Sequence, residues 1–216
     1  MNRWQIFVLT CIAPMALANV VIVAQDKSKS DASSGQVDKA KTGKPEHAAD
    51  AKPLDPIKFS VADGQLEFSA PGDWKKVEPA STMIDAEFSI EPIEGDAKSC
   101  RLTVMGAGGT IEANIDRWIG QVQQPDGSAT KDKAAITKKE IAGMTIHLVD
   151  VTGTYLDQRG PQAPKVELKD YRLLAAILET DADGSYFVKL YGPVKTIAKH
   201  RDAFVKMVEE AKLIEK

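Results

Sequence analysis

From residue 57 onward, apolar and polar positions alternate mostly with a period of two, and twice the period lengthens to that of a helix. Residues 58–61 and 65–69 flank Asp63-Gly64, a pair suited to the left-handed backbone of a tight turn, and predict a β-hairpin. Pro71-Gly72-Asp73 then breaks the pattern. Ile84, Ala86, Phe88 and Ile90 alternate with Asp85, Glu87 and Ser89, as in a half-buried strand. Further strands are predicted at 101–105 and, rich in β-branched residues, at 144–154. Residues 171–180 are apolar on both faces and fit a buried strand or a short helix. Asp183-Gly184 just after them favours a strand turning back into another at 186–191. Residues 131–141 are ambiguous and are taken as a strand. Residues 157–169 contain Gly160, Pro161 and Pro164 and are expected to form a mobile surface loop.

The helical stretches are 111–123 and 194–212. In the first, Ile111, Ile115, Trp118, Ile119 and Val122 fall on one face, Thr110 is a suitable N-cap, and Pro125 with Asp126-Gly127 ends the run. In the second, Ile197, Phe204, Val205, Val208 and Ala211 form the apolar arc, and Pro193 stands at the start, where a missing amide does little harm. Strands, helix, strands, helix, with short Asp-Gly turns, predict an α+β fold. Its antiparallel β-sheet is expected to be sandwiched by helices.

The start of the chain is different material. Residues 4–24 carry no charge, follow Arg3, and as a helix would reach roughly 30 Å, enough to cross a bilayer. Pro14 and Asn19 interrupt the run, which favours a cleaved export signal over a retained anchor. Cleavage after Ala24 removes the whole run, whereas cleavage after Ala18 leaves Val20 to Ala24 exposed. Thr10 before Cys11 argues against a lipoprotein. Residues 25–56 are read as a disordered charged linker, with six lysines against six acids between positions 26 and 55. Residues 57–216 are read as a single domain large enough to fold without a metal or disulfide.

Net charge is −3 over 216 residues, which excludes a strongly basic nucleic-acid binder. With the signal removed, Cys100 is the one cysteine left, and its place at the start of an apolar run marks it as a buried small hydrophobe. Serine-hydrolase elbows, P-loops and dinucleotide-binding glycine patterns are absent. His47, His147 and His200 have no partner at metal-ligand spacing and are read as structural or solvated. Glu91 with Glu94, and Asp181 with Asp183, are read as solvated turns, since a Ca²⁺ site needs six or more oxygens. No cofactor or metal is expected.

Two features suggest binding. Gly106-Ala107-Gly108-Gly109 leads into the first predicted helix, so Gly108, Gly109 and Thr110 are a candidate anion cradle. The competing reading is a tight strand-to-helix turn. On the predicted helix, Asn114, Arg117, Gln121 and Gln124 follow at spacings of three, four and three and form a polar stripe beside the apolar face. Asn114, Arg117 and Gln121 are the candidate contact residues for a ligand or partner, with Trp118 anchoring the helix beneath them. Their alternative role is to tie the helix to neighbouring loops.

The pattern G-G-x4-N-x2-R-W-x2-Q from Gly108 to Gln121 resembles one found in exported bacterial proteins of unestablished function. Phe68, Pro71 and Trp74 resemble the F-x-x-P-x-x-W opening of PsbP-like domains. Tyr186 to Pro193, followed by a helix with Phe204 and Val208, resembles their last strand and closing helix. The resemblance covers residues 58–214. It implies an antiparallel sheet between helices, a fold shared with a Ran-binding nuclear import factor and used mostly to bind or assemble with other proteins. PsbP's own role in photosystem II is not carried over, because a shared fold alone licenses no function.

The expectation is therefore an exported, non-enzymatic binding or assembly module of the periplasm or cell envelope. It would bind a protein or small ligand, not nucleic acid, and touch the membrane only through an uncleaved N-terminal segment. The alternative is an exported hydrolase with a pocket near the Gly106–Gly109 turn and His147, which requires a nucleophile or metal within reach of that histidine.

Overall fold

A computed structural model describes residues 54–158, 162–180 and 184–214. The proposed signal and nearly all of the linker lie outside these residues. Among the described residues, eleven strands and two α-helices run in the order β1 (Ile57–Val61), β2 (Leu66–Ala70), β3 (Lys75–Val77), β4 (Ala86–Ile90), β5 (Cys100–Ala107), α1 (Ile111–Ile119), β6 (Val122–Gln123), β7 (Ala135–Ile141), β8 (Met144–Asp157), β9 (Val166–Thr180), β10 (Gly184–Pro193), α2 (Val194–Glu209) and β11 (Lys212–Leu213). Neither helix is long and apolar enough to cross a membrane.

An eight-stranded sheet has the order β3-β4-β5-β10-β9-β8-β6, with β7 pairing the first half of β8, and every pairing in it is antiparallel. The alternation seen in the sequence divides this sheet between two apolar clusters. Leu174, Ala176 and Leu178 of β9 join Phe88, Leu102, Val188 and the α2 residues Ile197, Phe204 and Val208. Their neighbours Leu173, Ala175 and Ile177 join Phe187 and the α1 residues Ile115, Trp118 and Ile119. The fold is α+β, as expected. A three-stranded sheet, β1-β2-β11, shares the α2 cluster through Phe59, Leu66 and Phe68, and the predicted architecture lacked it.

Three boundaries differ from expectation for physical reasons. The first helix stops at Ile119, not at 123. Beyond Gly120, the Gln121 carbonyl accepts from the Leu156 amide at 2.8 Å, and Val122 pairs with Tyr155 in a short strand. Val122 is buried in either arrangement, so helical spacing could not tell them apart. The second helix ends at Glu209, and the chain crosses to the free edge of β2, where Lys212 and Leu213 pair with Glu67 and Leu66. The predicted loop at 157–169 is strand at both ends, where Tyr155, Leu156 and Asp157 pair with Leu168, Glu167 and Val166; Gln158 and 162–165 are not strand. The β9 side of that pairing, Val166 to Asp170, is mostly exposed, so its apolar alternation is weak.

Candidate functional site

Thr110 caps α1 by accepting from the Ala113 amide at 3.2 Å. Gly109, at φ +92°, makes the preceding turn with a backbone that favours glycine. Asn114 is buried, and its Nδ2 donates to the carbonyls of Gly108 at 3.2 Å and Thr110 at 2.9 Å. Its Oδ1 accepts from Arg117 Nη2. Both amide hydrogens of Asn114 are thereby spent on closing the glycine turn, the tying role set out above. The turn in turn holds Arg117 by one of its nitrogens.

The early end of α1 splits the polar stripe. Gln121 leaves the helix, and its Oε1 accepts from Lys189 Nζ at 2.5 Å and from Tyr155 Oη at 3.4 Å. Gln124 donates to the Thr152 carbonyl at 2.9 Å and fastens the following loop to β8. Arg117 and Gln121 do meet at one site, a cavity of about 380 Å³. Its floor comes from β5 and β10, through Arg101, Met105, Phe187 and Lys189, and its far wall from Tyr155 and Asp157 of β8. A wider cavity of about 1030 Å³ adjoins it across Arg101, Tyr191 and Asp157.

Lys189 is the centre of this site. Its Nζ donates to Tyr155 Oη at 2.9 Å and lies 5.3 Å and 5.6 Å from the ring centres of Tyr155 and Tyr191. Those two rings stack with centroids 4.5 Å apart, and Tyr171 continues the stack at 6.5 Å from Tyr155. Burial pushes the Lys189 ammonium down to about 8; Asp157 opposes the shift, and Arg101 and Arg117 add to it. Arg101 is engaged elsewhere, in a two-pronged pair with Glu87 at 2.6 and 2.9 Å, which holds its guanidinium yet more firmly protonated.

The sequence reading missed Lys189, Tyr155, Tyr191 and Arg101. One signal was available: Lys189 stands two residues from both Phe187 and Tyr191, a lone cation on the apolar face of a strand. A half-buried ammonium held by neutral oxygens and ring faces is a liability for folding. Lys189→Met is therefore expected to raise the melting temperature by about 3 °C at neutral pH. Thermal denaturation against pH checks this. The folded-state value lies below 10.5, so the lysine weakens the fold most below about 8, and the gain fades as pH rises toward 10.5. An unchanged or lowered melting temperature would show that the lysine braces the sheet.

The other candidates lie apart from the cavity. His147 of β8 meets Glu179 of β9 at 2.6 Å. No hydroxyl or thiol bonds to this histidine among the described residues, so the hydrolase alternative gains no support from its surroundings. His200 of α2 is buried and accepts from Trp74 Nε1 at 3.1 Å. Cys100 is buried, and desolvation, with Asp96 adding, pushes its thiol up to about 12, far from a reactive thiolate. No cluster of metal-ligating side chains occurs among the described residues.

No family model matches the chain. No curated protein matches it in sequence. Among solved structures it is similar to the cyanobacterial PsbP (CyanoP) of Synechocystis sp. PCC 6803, at 11% identity and a TM-score of 0.47, over 80% of this chain and 99% of that one. It is also similar to the Ran-binding protein Mog1p of Saccharomyces cerevisiae, at 10% identity and a TM-score of 0.42, over 75% and 97% of the two chains. A Pseudomonas aeruginosa protein of unknown function follows, at 12% identity and a TM-score of 0.37, over 75% and 98%. Both kinds of protein named by the sequence resemblance, PsbP and a Ran-binding factor, thus recur among the structures this chain is similar to.

Proposed function

We propose that this chain is an exported, non-enzymatic binding module of the cell envelope, and that it recognises its partner through the cleft between α1 and the β5–β10 floor. The observation that carries this reading is Lys189, a half-buried cation held in a tyrosine-walled cavity beside Arg117 by neutral oxygens and ring faces. Natural chains keep such groups where function needs them. The same reading takes the domain as a PsbP-like layered arrangement, with α1 and α2 bracketing the large sheet; each helix sharing a different apolar cluster supports it. Export rests on the uncharged run at 4–24 and the charged linker after it.

The tagged full-length chain, incubated with envelope extract, should retain a partner that Arg117→Ala and Lys189→Met fail to retain. Equal retention by the variants, or retention of nothing by the unaltered chain, overturns the reading. Sequencing the N-terminus of the mature protein checks export separately. A start near Gln25 is expected, and an intact Met1 replaces release with anchorage.

A further inference from the structure

Among the described residues, three cations line the smaller cavity without a carboxylate in ion-pair range. Lys189 is held directly by Gln121 Oε1, Tyr155 Oη and two ring faces, with the Asp157 charge near enough to act on it but forming no ion pair with it. Arg117 gives one nitrogen to Asn114 and forms no ion pair among the described residues. Lys165 is exposed at the rim. Against them, Asp157 is the one acid in the lining. Glu87 is committed to Arg101 and to the Ala80 amide at 3.0 Å. The cavity thus carries a surplus of positive charge, part of it withdrawn from water, where an anion gains most.

The rest of the lining has an apolar side. Trp118 packs edge-on against Phe187 with ring centres 5.0 Å apart, and Met105 lies beside them on the floor. A volume of about 380 Å³ sits at the small end of ligand pockets, roughly 300–1,000 Å³. It has room for one compact molecule.

We infer that this cavity binds a small organic anion, a carboxylate or phosphate ester with an apolar body, using Lys189 and Arg117 as its counter-charges. The inference rests on the cleft being the recognition surface and names its ligand class. The Arg117 guanidinium offers the planar donor fork that either head group accepts, and Lys189 supplies a point charge. Tyr155 and Gln121 position the ammonium, and Trp118, Phe187 and Met105 meet the apolar body.

The test titrates the full-length protein with benzoate, phenyl phosphate and inorganic phosphate, following binding by calorimetry and the Lys189 side chain by NMR. Saturable binding of benzoate or phenyl phosphate is expected, and the tighter of the two names the head group. Lys189→Met and Arg117→Ala should each weaken it about tenfold, the worth of one charged hydrogen bond. Bound anion should also move the Lys189 midpoint upward from about 8, in a setting where Asp157, Arg101, Arg117, Lys165, Tyr155 and Tyr191 are the other ionisable groups. No saturable binding, equal binding by both variants, or inorganic phosphate binding as tightly as the aromatic anions each overturns the inference. If no probe binds yet both variants still lose the envelope partner, only the ligand class has failed.

Discussion

Trp74→Ala is expected to lower stability by about 4 kcal/mol, and the melting temperature by about 10 °C for a domain of this size. Trp74 is 1% exposed and belongs to the cluster that joins α2 to both sheets. Its removal leaves a cavity among Phe, Leu and Ile side chains that cannot all collapse into it. It also strips His200 Nδ1 of its donor. Thermal and urea denaturation check the loss; a change below about 1 kcal/mol would mean that the site collapses freely. Trp74→Phe keeps most of the packing but loses the indole N–H, so a smaller loss of about 1 kcal/mol is expected.

The same hydrogen bond makes stability depend on pH. His200 accepts through Nδ1 and so must be neutral there. Burial lowers its pKa, Asp73, whose carboxylate is 4.0 Å away, opposes that, and Lys199 adds to it. A folded value below 6.5 means that the unfolded chain binds more protons. The contribution is therefore complete above 6.5 and is lost as pH falls through the lower folded value. Stability curves of the unaltered chain should decline in that window, and a His200→Phe variant should decline less.

Gly192→Ala is the second large effect, expected to cost about 3 kcal/mol, at the upper end for overpacking. Gly192 lies in β10, in the middle of the large sheet. A methyl group added there would collide with the Cys100 sulfur and stand 2.7 Å from its Cβ and 2.8 Å from its Cα. The sulfur could rotate, but the backbone carbon could not, so β5 and β10 would have to part. Cys100→Ala removes only the sulfur, leaves both carbons in the way and should rescue little. Cys100→Gly also removes the Cβ and leaves the backbone carbon as the one obstacle. The double variant should therefore be more stable than the two single losses predict. A purely additive double-mutant cycle would sink this account.

Chemistry that is local in sequence was legible. The Asp63-Gly64 hairpin, the alternation in 84–90, 101–105 and 144–154, and the apolar face of α1 with its Thr110 cap all appear where periodicity places them. Arg117 and Gln121 were legible as polar residues beside an apolar helix face, and both line the cavity. The partners of Gln121 were hidden because Lys189 and Tyr155 sit on different strands, and only pairing decides which strands are neighbours. Lys189 and Tyr155 stand 34 positions apart and meet because β8, β9 and β10 fold back on one another.

By itself, then, the sequence determined the longer elements, their α+β order and which face of each seeks the core, because side-chain period and turn chemistry act over a few residues. Tertiary structure decided where α1 stops, that β11 completes a second sheet, and that two lysines, two tyrosines and two arginines share one cleft. Those outcomes depend on backbone hydrogen bonds and charges brought together across the sheet, and no local pattern encodes a meeting between strands that are distant in the chain.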